Sequence, residues 1–184
     1  MKSKNELAVN GGRPARKRVI PYGKQSINLR DVFSVSKTLL SDFITSGPKV
    51  TEFEKAIAKY VNAKHAVAVS SGTAALHMAV FAADIKAGDE VLVASMTFAA
   101  SSNCVLYQGG TPVFVDIDPN TLNIDIEDLR SKITQKTKAI IPVDFTGQSV
   151  DIDAIMQIAK EHNLIVIEDA AHALGSEYKG RKVG

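Results

Sequence analysis

From His65 onward, short runs rich in apolar and β-branched residues alternate with segments of helical pattern. The β-rich runs are 66–69, 90–94, 111–115, 139–143 and 164–167. The helical segments between them span about 72–84, 97–107, 125–134 and 151–162, and Asp151 is placed to cap the last one. This alternation predicts an α/β fold in which a mostly parallel sheet carries helices on both faces.

The chain before this pattern predicts two more helices. Asn28 can cap a helix that runs to about Leu40, and Pro48 suits the first turn of the next helix. We expect residues 1–20 to form a basic flexible arm and residues 21–184 to form the N-terminal part of a larger domain. At the other end, Lys179-Gly180 predicts the turn of a β-hairpin. A β/α sheet that stops at such a hairpin lacks its expected continuation. We therefore expect the chain to be a fragment.

Composition narrows the classes of function. A net charge of +2 over 184 residues argues against nucleic acid or a membrane as the main partner. No apolar run approaches the roughly 18 residues of a membrane span. The single cysteine, Cys104, excludes an internal disulfide and fits a cytoplasmic protein. The four histidines lack the spacing of metal ligands, so we expect no metal site.

A short polar segment follows the run 66–69 and opens a helix. The backbone N–H groups of Gly72, Thr73 and Ala74 could bind a phosphate at this helix N-terminus, with hydroxyl groups from Ser71 or Thr73 as further donors. The alternative is a capped helix without a ligand. Neither a Walker A loop nor a dinucleotide-binding glycine motif is present, which disfavours nucleoside triphosphates and nicotinamide cofactors.

The run 164–167 leads directly into Glu168-Asp169. An acid at the carboxyl end of a buried parallel strand lies where open α/β sheets bind ligands. Asp169 could hold a proton on a heteroaromatic nitrogen, as pyridoxal 5′-phosphate (PLP) enzymes require, or it could be a structural acceptor. His172 could donate a hydrogen bond to an oxygen on the same ring, or cap the turn.

Two more residues follow strand ends on the same side of the predicted sheet. Phe98 could lie against a flat cofactor ring, although an aromatic residue there is often part of the core. Asp144 could contact a substrate, and Gly147 permits a tight turn after it.

Four segments in this order resemble one family: 45–50, 71–74, 97–98 and 168–172. The family is the DegT-type nucleotide-sugar aminotransferases, which are PLP enzymes of fold type I, and the resemblance extends from about Ile20 to Gly184. Within it, residues 143–148 and 172–184 look most like the UDP-4-amino-4,6-dideoxy-N-acetyl-β-L-altrosamine transaminases of pseudaminic acid biosynthesis.

The resemblance implies an aspartate-aminotransferase-like large domain, glutamate as amino donor and a homodimer. It also implies a role for most of the candidate residues. The phosphate would lie against residues 71–74, namely Ser71, Gly72, Thr73 and Ala74. The pyridine ring would lie against Phe98, its nitrogen against Asp169 and its hydroxyl against His172. The substrate would lie near the loop of Thr45, Ser46 and Gly47.

The family's Schiff-base lysine lies beyond the acidic motif, after a segment that this sequence does not contain. Lys179 and Lys182 follow the motif, but both belong to the predicted hairpin and would face solvent. We therefore expect the chain as given to be inactive in transamination. Two alternatives stay open: a PLP-dependent sugar dehydratase of the same family, in which a histidine replaces the lysine, and a truncated module without catalysis.

Overall fold

The computed structural model describes residues 7–16, 18–21 and 23–184. These residues form two compact units, Met1–Gly47 and Pro48–Gly184. The first unit contains a short 3-10 helix, Ala8–Asn10, and α1, Leu29–Leu39. The Asn28 side chain accepts hydrogen bonds from the first turn of α1, and the Asp31 carboxylate accepts one from the Asn28 N–H. This capping box confirms Asn28 as the helix start.

The second unit contains five helices, six strands and a 3-10 turn at Phe145–Gly147. Its elements are α2 (Pro48–Val61), α3 (Gly72–Ala82), β1 (Glu90–Ala94), α4 (Ala100–Tyr107), β2 (Thr111–Val115), α5 (Ile126–Ser131), β3 (Thr137–Ile141), α6 (Ile152–His162), β4 (Ile165–Val166), β5 (Glu177–Tyr178) and β6 (Arg181–Lys182).

The first four strands form one sheet in the order β2-β1-β3-β4, and every pairing in it is parallel. β5 and β6 form a separate antiparallel hairpin. The hairpin turn has positive φ at both central residues, Lys179 at 49° and Gly180 at 77°, as a two-residue turn of this kind requires. The predicted parallel sheet and the predicted hairpin are both confirmed.

Alternate side chains of β1 point into two different cores. Leu92 and Ala94 pack with residues of α5 and α6 on one face of the sheet. Val91 and Val93 pack with α3 and α4 on the other face. All four side chains are essentially inaccessible to solvent, and each fully buried valine or leucine contributes about 1.5–3 kcal/mol. Burial of both faces explains the continuous apolar run, and helices on both faces of the sheet are confirmed.

The predicted strand at 66–69 is wrong. These residues have no assigned secondary structure, and no strand within the described part of the chain pairs with them. Instead, the N–H of Ala68 donates to the Glu54 carboxylate of α2 at 2.9 Å. A strand is defined by its partner, and apolar composition alone gives an extended segment without supplying one.

Within the described residues, no helix combines the length and the apolar character needed to cross a membrane.

Candidate functional site

The carboxyl ends of β1, β3 and β4 lie at one edge of the sheet because these strands are parallel. Beyond β3, the N–H of Asp144 donates to the backbone carbonyl of Asp169 at 3.1 Å, and the N–H of Asp169 donates to the carbonyl of Pro142 at 2.9 Å. These bonds extend the ladder between β3 and β4 by one bridge, Val143 to Asp169. They fix the backbone of the acidic motif.

The Asp169 carboxylate is 9% exposed and receives two hydrogen bonds from the protein. The Ser101 hydroxyl donates to Oδ2 at 2.7 Å, and the N–H of Ala171 donates to Oδ1 at 3.2 Å. The hydroxyl groups of Thr97 and Ser101 are 2.7 Å apart. Since the Ser101 proton goes to the carboxylate, the Thr97 hydroxyl donates to Ser101. The hydroxyl pair thus orients Asp169.

Ser101 was not among the residues identified from the sequence. It is fully buried on α4 between the core residues Ala100 and Cys104. The signal that could have found it is a hydroxyl within an otherwise apolar helix face, because a buried hydroxyl needs a partner. Its partner is distant in sequence, so the pairing itself could not have been predicted from local pattern.

The N-terminus of α3 provides the predicted phosphate-binding position. The Ser71 hydroxyl accepts from the N–H of Ala74 at 3.1 Å, so Ser71 is the helix cap and the Ala74 amide is already paired. The N–H groups of Gly72 and Thr73 lie in the first turn, where a helix has no internal acceptor for them. A Cβ added at Gly72 would meet no atom within 4 Å, so the space beside this residue is open.

The start of α3 and the acidic motif line one cavity of about 240 Å³. Gly72 and Asp169 both belong to its wall, together with apolar residues of α3 such as Leu76. A helix N-terminus attracts an anion, while a carboxylate attracts a cationic N–H. The cavity is therefore suited to a small molecule that carries a phosphate at one end and a basic nitrogen at the other.

Phe98 and His172 lie outside the walls of this cavity. The Phe98 side chain is 75% exposed, directly after the turn that follows β1. His172 is exposed, and its ring lies 6.5 Å from that of Phe145, centroid to centroid. Their contacts with a cofactor ring stay predictions.

Asp144 is fully buried, and its Oδ1 accepts from the N–H of Val150 at 2.9 Å. Burial raises the pKa of Asp144, an effect that the Val150 N–H partly opposes. Burial also raises the pKa of Glu168, and the negative charge of Asp144 raises it further. The Asp144 carboxyl group is enclosed by protein, and its predicted contact with a substrate stays a prediction.

The predicted substrate residues Thr45, Ser46 and Gly47 belong to the first unit and form a loop after α1. Ser46 has a positive φ of 49°. A Cβ on Gly47 would lie 2.7 Å from the Cβ of Phe43, so this tight loop requires glycine there. The role of the loop in substrate binding stays a prediction.

The two hairpin lysines make ion pairs at the surface. Lys179 contacts the Asp153 carboxylate at 2.7 Å, and Lys182 contacts the Glu177 carboxylate at 2.7 Å. These carboxylates raise the pKa of both lysines, which keeps the amines protonated. A nucleophilic lysine needs the opposite environment. That neither one reacts with a cofactor stays a prediction.

Comparison with known proteins gives a consistent result. The model of the DegT/DnrJ/EryC1/StrS aminotransferase family matches residues 25–184. The spore coat polysaccharide biosynthesis protein SpsC of Bacillus subtilis is 48% identical over 169 residues, which are 92% of this chain and 43% of SpsC. The GDP-perosamine synthase of Caulobacter vibrioides is 53% identical over 138 residues, 75% of this chain and 37% of that protein. The chain thus spans less than half the length of these relatives.

Solved structures share the fold. Spr1654 of Streptococcus pneumoniae, a protein assigned as a sugar aminotransferase and solved in its PLP form, matches with a TM-score of 0.85 at 36% identity, covering 90% of this chain and 46% of that one. Helicobacter pylori PseC, an aminotransferase involved in the biosynthesis of pseudoaminic acid, matches with a TM-score of 0.84 at 34% identity, covering 89% and 44%. The second unit therefore has the α/β fold of PLP enzymes of fold type I.

Proposed function

Because the chain belongs to the DegT/DnrJ/EryC1/StrS aminotransferase family, we propose that it serves the PLP-dependent transfer of an amino group to a nucleotide-linked keto sugar. The observation that carries this proposal is the shared cavity, in which Gly72 at the start of α3 and Asp169 after β4 face the same space. Membership of this family and the likeness to a GDP-perosamine synthase support the reaction class.

The residues of the cavity fit PLP. In the proposal, the N–H groups of Gly72 and Thr73 bind the phosphate, and Ser71 keeps the helix terminus in place by capping Ala74. Asp169 holds a proton on the pyridine nitrogen, and Ser101 fixes the carboxylate that does so. Phe98 would lie against the ring and His172 near its hydroxyl. When bound, PLP supplies the electron sink on which amino-group transfer depends.

The finer parts of the proposal concern substrate and setting. We propose a UDP-linked 4-keto-6-deoxy sugar as acceptor and glutamate as amino donor, in the synthesis of a surface polysaccharide or of pseudaminic acid. Residues 143–148 and 172–184 support this choice through their resemblance to the pseudaminic acid transaminases, as does the likeness to PseC. The higher identity to a GDP-perosamine synthase supports a GDP-linked sugar as the competing substrate.

Three further proposals concern the state of the protein. The active protein is a homodimer, as the resemblance to the family implies. It lies in the cytoplasm, for which the single buried thiol Cys104 is the supporting feature. The chain as given does not catalyse transamination, because both lysines after the acidic motif are protonated partners of surface carboxylates.

The test uses the complete gene product that contains this sequence. It is incubated with a UDP-linked 4-keto-6-deoxy sugar, glutamate and PLP, and the aminated sugar is measured by mass spectrometry. Asp169→Asn should lower turnover on the order of 10²–10⁴-fold, as expected when a residue that holds a catalytic proton is lost. Glu127→Gln, at an exposed acid of α5, should retain activity.

Failure of the complete protein to bind PLP would overturn the proposal, and so would full activity in Asp169→Asn. Loss of a hydroxyl group from the sugar, without gain of an amine, would replace transamination by dehydration.

A further inference from the structure

Three carboxyl groups meet where β3 and β4 end: those of Asp144, Glu168 and Asp169. They differ in their hydrogen-bond donors. Asp169 has one donor on each oxygen, Ser101 and Ala171. Glu168 accepts from the N–H of Gly184 at 3.3 Å. Of the three groups, only Asp169 thus accepts a hydrogen bond from the protein on each of its carboxylate oxygens.

One oxygen of Asp144 has no such donor. Its Oδ1 accepts from Val150, but Oδ2 is buried and has no hydrogen-bond partner within the described residues. A buried carboxylate oxygen without a donor is strongly unfavourable, so buried polar atoms in native proteins are almost always paired. The orphaned oxygen requires an explanation from its surroundings.

The neighbour that supplies one is Glu168. The parallel bridge between Val143 and Asp169 and the backbone bonds beside it place Asp144 and Glu168 diagonally across the two neighbouring chains, where alternation puts their side chains on the same side. Two ionised carboxylates cannot hydrogen-bond to each other, because both are acceptors only. A single proton between them converts this repulsive contact into a hydrogen bond. We propose that Asp144 and Glu168 share one proton, which removes one negative charge from the pair beside Asp169.

The other groups around the pair favour the same distribution of charge. Two of them are neutral backbone donors, Val150 and Gly184, and the third is the Asp169 carboxylate, whose charge raises the pKa of Asp144. The Cys104 thiol, which faces Asp169, is neutral because burial raises its pKa to about 11. Among the described residues, no lysine or arginine forms an ion pair with Asp144 or Glu168. Because no cation in that part of the chain neutralises these carboxyl groups, a proton retained by Asp144 and Glu168 is what lowers the negative charge there.

In the proposed function, Asp144 and Glu168 are positioning residues. The backbone of Asp144 holds that of Asp169 in place, and the shared proton removes one of the two negative charges that Asp144 and Glu168 would otherwise place beside it. The existence of the shared proton is independent of the proposed function. Its consequence for the bound cofactor rests on that function.

The test is a carbon-13 NMR titration of the carboxyl groups in the complete 184-residue chain, without cofactor. The resonances of Asp144 and Glu168 should change together in two steps, with one proton released above the usual carboxyl range of about 3.9–4.3. Asp144→Asn should remove the coupling and lower the midpoint for Glu168, because the new amide N–H donates to the ionised carboxylate. Glu168→Gln should do the converse, and Glu127→Gln, an exposed acid of α5, should leave the coupled titration unchanged.

Independent titration of Asp144 and Glu168 within the usual range would overturn the inference, and the unaltered chain suffices to show it if a variant does not fold. A PLP titration of the same samples separates the two proposals. Bound PLP with uncoupled carboxyl groups would overturn only the shared proton, while coupled carboxyl groups without PLP binding would count only against the proposed function.

Discussion

Ser101 is the single residue whose removal should most affect the site without touching the cavity wall. Its hydroxyl donates to the Asp169 carboxylate in a buried position, and a hydrogen bond to a charged group contributes about 1.5–3 kcal/mol. Ser101→Ala should therefore lower the free energy of unfolding by about that amount, measured by urea denaturation. It should also weaken PLP binding, because the carboxylate loses its fixed orientation.

Ser102→Ala is the matched control. Its hydroxyl donates only to the backbone carbonyl of Ala99 one turn earlier, so the loss should be within about 0.5 kcal/mol. Equal losses in the free energy of unfolding would show that the hydrogen bond from Ser101 to Asp169 contributes no more than the bond made by Ser102.

The thiol of Cys104 should be nearly inert in the folded protein. It is buried, and burial raises its pKa from 9.0 to about 11. At about pH 8 the thiolate fraction is then about 100-fold below that of an ordinary thiol, which slows reaction because the thiolate is the nucleophile. Labelling with Ellman's reagent should be slow in buffer and fast in urea; equal rates in both would contradict the burial of this residue.

At the scale of elements, the sheet could be predicted better than its surroundings. The strands 90–94 and 111–115 have the predicted bounds, because turn residues flank apolar runs there. The run 66–69 has the same composition and forms no strand, since pairing depends on a distant segment. The candidate site contains both predictable and unpredictable features. Gly72 and Asp169 were identified from local sequence pattern. The bond from Ser101 to Asp169 and the pairing of Asp144 with Glu168 join distant segments, so local pattern could not predict them.

The junction between α4 and β2 should tolerate no added volume at Gly110. A Cβ there would lie 2.7 Å from the Ile85 side chain and 3.0 Å from that of Val105, both in the core. Gly110→Ala should lower the free energy of unfolding by about 1–3 kcal/mol, the usual cost of overpacking. Gly23→Ala, where a Cβ would meet nothing within 4 Å, should change it little. Equal stability of the two variants would contradict this packing.

The hairpin of β5 and β6 should be dispensable for cofactor binding. Its lysines contact Asp153 and Glu177, and their pKa values are raised. Lys179→Met and Lys182→Met should each leave the PLP dissociation constant within about twofold, since surface ion pairs contribute little. A covalent PLP adduct on either lysine after borohydride reduction, found by peptide mass spectrometry, would contradict this prediction.

At the scale of the whole molecule, stability should fall on both sides of a middle pH range. Surface acids such as Asp128, Asp153 and Glu161 have lowered pKa values because of their Lys and Arg partners. The stability they contribute is present above about pH 4 and is lost as the pH falls below it. The pKa values of Asp144 and Glu168 are raised, so their contribution is present at low pH and is lost as the pH rises through the raised values.

Urea denaturation across the pH range should show both losses. Asp144→Asn should abolish the loss of stability at higher pH and leave the loss of stability at acid pH unchanged. If the unaltered protein lost stability only at acid pH, the raised pKa values of Asp144 and Glu168 would be contradicted.

The central claim is that Asp169 holds a proton on the ring nitrogen of PLP while the start of α3 binds the phosphate. The most direct measurement is the nitrogen-15 chemical shift of PLP labelled at the pyridine nitrogen, bound to the chain and to its Asp169→Asn variant. We predict the shift of a protonated pyridine in the unaltered chain and of an unprotonated one in the variant at the same pH. An unprotonated nitrogen in both, or no binding to the unaltered chain, would contradict it.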